Sequence, residues 1–231
     1  MKKNKSKKTL ITLGCSITEH IGWADCLSQK LNMPLVNLSY SSSSNFLQQC
    51  RFQEYVFKNN ITSNDIIVWQ ITGISRHFLR LKSSDDSKSM QKKDRSKKTG
   101  SSVTLSKNIF DNINRVDFLS HSKFAQAQKA VDSAQVLENL LFYIIAAKKL
   151  TPNTFVVYGW DSAVPTEYKL IFEKQLAKHD IKIFNMPIVD WCHDRKLEFY
   201  PDNLHPMYSA YEKYVVDYMY PQLTSMLTQN N

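Results

Sequence analysis

The sequence predicts an α/β fold: a central five-stranded parallel sheet covered by helices on both faces. Two observations carry this reading. Short, β-branched apolar runs recur along the chain, too uniformly apolar for strands with one wet face. Between them lie segments whose apolar residues fall at spacings of three and four, the period of a helix packed on one side. At 231 residues and 42% hydrophobic, the chain can bury one good core, so it is read as a single domain over 1–231.

The elements follow in order. Residues 9–14 form the first strand, and Ile21, Ala24, Leu27 and Leu31 mark the helix after it. "PLVNL" (34–38) is the second strand. Residues 46–58 form a helix of mixed amphipathicity, with Phe46, Leu47, Cys50, Val56 and Phe57 as apolar members. "DIIVWQI" (65–71) is the third strand. Composition then changes: residues 81–107 are rich in Ser and Lys, and the 82–123 region reads as a basic, solvated insertion. Val131, Ala134, Leu137, Leu141, Ile144 and Ile145 mark a long helix, followed by "TFVVYGW" (154–160) as the fourth strand. A helix over 166–178 precedes the fifth strand, "IKIFN" (181–185). Tyr211, Tyr214, Val215, Tyr218 and Met219 line a last helix that Pro221 kinks or ends.

Thirty Lys and Arg against 21 Asp and Glu give a formal net charge of +9, which suits an anionic partner. Residues 2–8, "KKNKSKK", supply five of the lysines. The basic runs at 2–8 and 88–98 lack interleaved aromatics, which argues against a nucleic-acid surface. Four cysteines without a C-x-x-C pair suggest reduced thiols rather than a zinc ribbon or disulfide framework. "DWCHD" (190–194) is a poor metal cluster, because adjacent Cys192 and His193 do not easily share one tetrahedral ion. The opening "TLITLG" is too short and too rich in Thr for an export signal. The expectation is a cytoplasmic protein, with peripheral membrane association through the basic N-terminus as a further option.

In an open parallel sheet, sites form beyond the carboxyl ends of the strands. Ser16 lies just past the first strand, Ser41–Asn45 past the second and Thr72–Arg76 past the third. A serine at such a turn is a weak nucleophile until a histidine takes its proton, and that histidine is best oriented by a carboxylate. "DNLHP" (202–206) offers both: Asp202 precedes His205 by three residues, and Pro206 is placed to start the last helix. Alone, a D-x-x-H pair is also what a helix cap beside a surface histidine looks like. Asn45 reads as a cap of the following helix or a site residue. Arg76 reads as a solvated loop residue or an anion ligand. Trp160 reads as core or as a surface for a sugar ring.

Taken together and in order, "GCS" after the first strand, "NLSYSSSSN" after the second and "DNLHP" before the last helix resemble the SGNH, or GDSL-like, hydrolase superfamily. The resemblance covers nearly the whole chain outside 82–123. It implies a flavodoxin-like, three-layer α/β/α fold. It implies Ser16 as nucleophile, His205 as general base and Asp202 as its orienter, with Cys15 as a neighbour; a Cys15 nucleophile is the alternative. The oxyanion hole falls on the backbone N–H groups of Ser16 and Ser42. The family's third-block Asn is missing from "VWQITGISR" (68–76), so Gln70 or Thr72 is expected to supply the side-chain donor. Substrate contacts are expected from Asn45, Arg76 and Trp160.

That resemblance implies acyl-ester chemistry through an acyl-enzyme. The third segment resembles variants encoded with bacterial surface polysaccharides. With the basic charge, this favours O-acetyl transfer from acetyl-CoA to a polyanionic glycan, without a bound cofactor or metal. A carbohydrate acetylesterase is the alternative. A non-catalytic polyanion-binding module is a third reading.

Overall fold

The computed structural model describes residues 8–19, 22–41, 43–74 and 133–229. The basic N-terminal run up to residue 7, Ser42, Arg76 and the 82–123 insertion lie outside the described residues.

Five strands make one sheet: β1 (Leu10–Leu13), β2 (Leu35–Asn37), β3 (Ile66–Ile71), β4 (Thr154–Tyr158) and β5 (Lys182–Phe184). Their order is β2-β1-β3-β4-β5, and every neighbouring pair is parallel. Each predicted strand is present, trimmed by a residue or two at most of its ends.

Alternate residues of each strand point to opposite faces. Leu10, Ile66, Val68, Phe155, Val157 and Phe184 belong to one apolar cluster. Ile11, Leu13, Ile67, Trp69, Ile71, Val156 and Tyr158 belong to the other. Trp23 and Ala24 of α2 (Trp23–Leu31) cover the first face, with α6 (Ile188–Asp194), α7 (Tyr208–Tyr214) and α8 (Tyr220–Thr228). The second face is covered by α3 (Asn45–Lys58), α4 (Ser133–Leu150) and α5 (Thr166–Lys178). With both faces covered, the sheet has no wet side and its central strands are mostly apolar, with Gln70 of β3 a buried exception. No helix among the described residues is long and apolar enough to cross a membrane.

Three local readings are corrected. The cap of α3 is Ser44, whose Oγ accepts the Leu47 N–H at 3.2 Å, and Asn45 is the first helical residue. Phe46 and Phe57, expected among the apolar members of that helix, are 49% and 80% exposed, while Gln48 and Gln49 are buried. The last helix starts at Tyr208, not Pro206, and does not end at Pro221. A π-turn over Val215–Met219 precedes the proline, and the Tyr220 N–H reaches back to the Val215 carbonyl. Widening the turn there fits a residue that lacks an N–H of its own.

Candidate active site

The first βα turn presents Ser16. Gly14 and Cys15 carry the chain from β1 into α1 (Ser16–Glu19), a short helix that the periodicity did not reveal. The Cys15 carbonyl accepts the N–H groups of Thr18 and Glu19, both at 2.9 Å, and this closes the turn around Ser16.

The third part of the predicted constellation comes from a compact loop before α7. The Asp202 Oδ1 accepts the backbone N–H groups of Leu204 at 2.9 Å and His205 at 3.1 Å. This is an Asx turn, and it accounts for the three-residue spacing. Asn203 sits inside it at φ 54°, a left-handed conformation that Asn tolerates better than most residues. The Tyr200 N–H donates to the His205 carbonyl at 2.9 Å, and the Met207 N–H to Glu198 at 2.9 Å. These bonds make residues 198–207 a small closed hairpin.

The hairpin brings His205 over Ser16 although 189 residues separate them: Ser16 Oγ lies 2.7 Å from His205 Nε2. His205 Nδ1 lies 2.6 Å from Asp202 Oδ2. An ionised carboxylate can only accept, so Nδ1 carries the proton and the Nε2 lone pair faces the serine hydroxyl. The Leu204 N–H, then the His205 ring and N–H, hold the Asp202 carboxyl below its ordinary range. The pair is open to solvent: the side chains of His205 and Asp202 are 28% and 45% exposed. An arrangement of this kind can take a proton from Ser16 and return it to a leaving group.

Cys15 is not part of it. Its side chain is fully buried in the cluster beneath the turn, with Trp23 and Tyr211. The other thiols are buried too, and burial pushes Cys50 up to about 11 and Cys192 up to about 12. None of the four cysteines is therefore expected to react with a thiol-specific disulfide reagent in the folded protein, and all four after denaturation. Cys15→Ala is expected to keep turnover within about threefold of wild type, at a cost of about 1–2 kcal/mol in stability. Abolished turnover in a folded Cys15→Ala protein would return the thiol to the mechanism.

The second loop is drawn against the first. The Tyr40 N–H donates to the Gly14 carbonyl at 3.4 Å, and Leu38 N–H to Thr12 at 2.9 Å. The Glu19 carboxylate accepts both the N–H and the hydroxyl of Ser41. Asn37 donates to the Thr18 carbonyl at 2.7 Å, and Arg51 reaches the carbonyls of Leu38 and Ser39. None of these three supporting residues stood out in the sequence. Glu19 and Asn37 are polar side chains at an element's end and Arg51 is one of several on α3, patterns too common to single out.

The remaining predicted residues divide. Asn45 is neither cap nor open site residue. Its amide pairs in both directions with the Thr72 peptide, accepting the N–H at 3.1 Å and donating to the carbonyl at 2.9 Å. Gln70 is not an oxyanion donor at the surface: it is fully buried, and its Nε2 donates to the Ile71 carbonyl at 2.7 Å. Thr72 is buried as well, and its hydroxyl has no partner among the described residues. Trp160 is half-buried and packs against both apolar clusters, so much of it is core. Around "DWCHD", Cys192 is buried while exposed His193 stacks on Phe199 with ring centroids 4.0 Å apart. No three potential metal ligands converge among the described residues.

No family model matches the sequence, and no curated protein is significantly similar to it in sequence. Solved structures do resemble it. The psychrotrophic esterase EstA from Pseudoalteromonas sp. aligns with a TM-score of 0.54 at 14% identity, over 97% of this chain and 100% of that one. A member of the lipolytic protein G-D-S-L family from Veillonella parvula aligns at 0.51 and 14% identity, over 90% and 97% of the two chains. The hydrolase LAE5, from the metagenome of Lake Arreo, aligns at 0.52 and 14% identity, over 95% and 96%. At such identity the likeness speaks for architecture: the five-stranded parallel sheet and its two helical layers are the α/β/α fold of the SGNH and G-D-S-L lipolytic hydrolases.

Proposed function

We propose that this protein is a serine-dependent acyl-ester enzyme whose ordinary outcome is hydrolysis of a short-chain ester. The observation that carries the reading is the continuous Ser16–His205–Asp202 contact, 2.7 Å and 2.6 Å at the sheet's carboxyl edge. Ser16 Oγ attacks the acyl carbon as its proton passes to His205 Nε2. The Oγ–C bond forms, the carbonyl becomes an oxyanion, and the Asp202 carboxylate steadies the imidazolium. The backbone N–H of Ser16 is the donor offered to the oxyanion. Collapse breaks the ester C–O bond, and the alcohol leaves with the proton from His205. Water then attacks the acyl-enzyme, gives its proton to His205, and releases the acid and free Ser16. Hydrolysis is the default because the histidine and aspartate are open to solvent.

Transfer of acetyl from acetyl-CoA to a polyanionic glycan is the second reading. The +9 net charge favours it, because a bound anionic acceptor must compete with water at about 55 M. The two are separated by one assay. Short-chain p-nitrophenyl esters and acetyl-CoA are each offered with and without an acidic polysaccharide. Hydrolysis predicts ester turnover that the glycan leaves unchanged, and slow acetyl-CoA loss throughout. Transfer predicts acetyl-CoA consumption raised at least about tenfold by the glycan, acetyl groups on the glycan, and an effect that fades at high salt. A protein that neither turns over any ester nor loads acetyl from CoA would sink both readings and leave polyanion binding.

A further inference from the structure

We propose that Gln70 is a positioning residue for Ser16, acting from beneath the nucleophile turn; this rests on Ser16 being the reacting group. Gln70 occupies the face of β3 that otherwise carries Ile66 and Val68 into an apolar cluster, and it is fully buried. A glutamine is costly there unless its amide is satisfied. Its Oε1 accepts the Cys15 N–H at 2.9 Å and the Thr18 hydroxyl at 3.1 Å. Ser16 lies between those two residues, so one oxygen anchors the turn on both sides of the nucleophile. Thr18 is held a second time, by the Trp23 indole N–H at 3.1 Å. On the other side, Gln70 Nε2 is fixed by the Ile71 carbonyl at 2.7 Å, so the amide cannot flip without losing its bonds to Cys15 and Ile71.

The neighbouring strands make room for this side chain. A Cβ on Gly14, after β1, would lie 2.5 Å from Gln70 Oε1. A Cβ on Gly159, after β4, would lie 2.5 Å from Gln70 Nε2. Both glycines therefore permit the backbone to close on one buried amide. Stability alone would be served by an apolar residue filling the same space. The amide adds a fixed direction for the Cys15 peptide, and through it for the Ser16 N–H and Oγ.

Two substitutions test this against Leu176→Ala, a fully buried site on α5 beyond the opposite sheet face. Gln70→Met keeps the volume and removes the bonds. Its kcat on p-nitrophenyl acetate is expected to fall about 10²-fold, as for a small misplacement of reacting groups, with KM within about threefold. Leu176→Ala should keep kcat within about threefold at a temperature where all variants remain folded. In Gln70→Glu, the protonated acid can accept from Cys15 and donate to Ile71, whereas the carboxylate repels that carbonyl. Its activity relative to wild type is therefore expected to rise at least about tenfold from pH 8 to pH 5. This keeps the test open if the methionine variant does not fold. Nitrogen NMR shifts of the His205 ring read the Ser16–His205 contact without turnover. They should move in the Gln70 variants and not in Leu176→Ala. Unmoved shifts, or a folded Gln70→Met with kcat within about threefold of wild type, would overturn the role. If the wild type proves inactive but the shifts move as described, the hydrolase reading fails and the positioning of Ser16 stands.

Discussion

Ser16→Ala is expected to lower kcat on short-chain esters by at least about 10⁴-fold while leaving the fold and melting temperature nearly unchanged. Among the described residues the hydroxyl hydrogen-bonds His205, and Ser16 is partly exposed rather than in the core. Its loss leaves an imidazole that water can satisfy. The same variant should take up no serine-directed fluorophosphonate, which the wild type should attach at Ser16 alone. Labelling that survives the substitution, or turnover within about tenfold of wild type, would mean another nucleophile.

The second large effect separates two substitutions at Asp202. Asp202→Asn is expected to lose about 10³–10⁴ in kcat, and Asp202→Ala distinctly less. The reason lies in how the Asx turn orients the group. Oδ1 is fixed by the N–H groups of Leu204 and His205, which only an acceptor can satisfy. In the asparagine variant the amide oxygen must take that place, and the amide N–H₂ is turned toward His205 Nδ1. Nδ1 then has to accept, the ring proton moves to Nε2, and no lone pair faces Ser16. Alanine imposes no tautomer, and water can take its place. An asparagine variant as active as the alanine one would refute this orientation. The acid side follows from the same bonds. The Asp202 carboxyl sits below its ordinary range, so its support for the hairpin is complete above the unfolded-state pKa. That support is lost as the pH falls through the lowered folded value.

Much of the fold is legible in the sequence. The five strands were readable because a sheet covered on both faces makes its strands predominantly apolar, and such runs stand out between helical spacings. The D-x-x-H spacing was readable because an Asx turn is local. Gln70 drew attention as a candidate oxyanion donor, and nothing in "VWQI" points to its place beneath the nucleophile turn. Its orientation depends on Gly14 and Gly159, one on each flanking strand, and no one-dimensional pattern joins them. Asn45 misled for a related reason: a polar residue at a helix start normally caps. Here Ser44 caps, and Asn45 is released to bond across to Thr72.

That bond to Thr72 has a mechanical consequence. A side-chain amide that accepts from a peptide N–H and donates to the same residue's carbonyl imitates a neighbouring strand. It welds the segment after β3 to the first turn of α3 rather than to the sheet. The described residues after β3 are thereby tied to α3, and α3 is tied in turn to the β2 loop through Arg51, which reaches the carbonyls of Leu38 and Ser39, while Glu19 holds Ser41 from α1. The 198–207 hairpin is closed by its own bonds, from the Tyr200 N–H to His205 and from the Met207 N–H to Glu198, and among the described residues it bonds Ser16 through the His205 imidazole. Substitution of Asn45 is expected to lower the melting temperature, because it leaves the buried N–H and carbonyl of Thr72 without their side-chain partner.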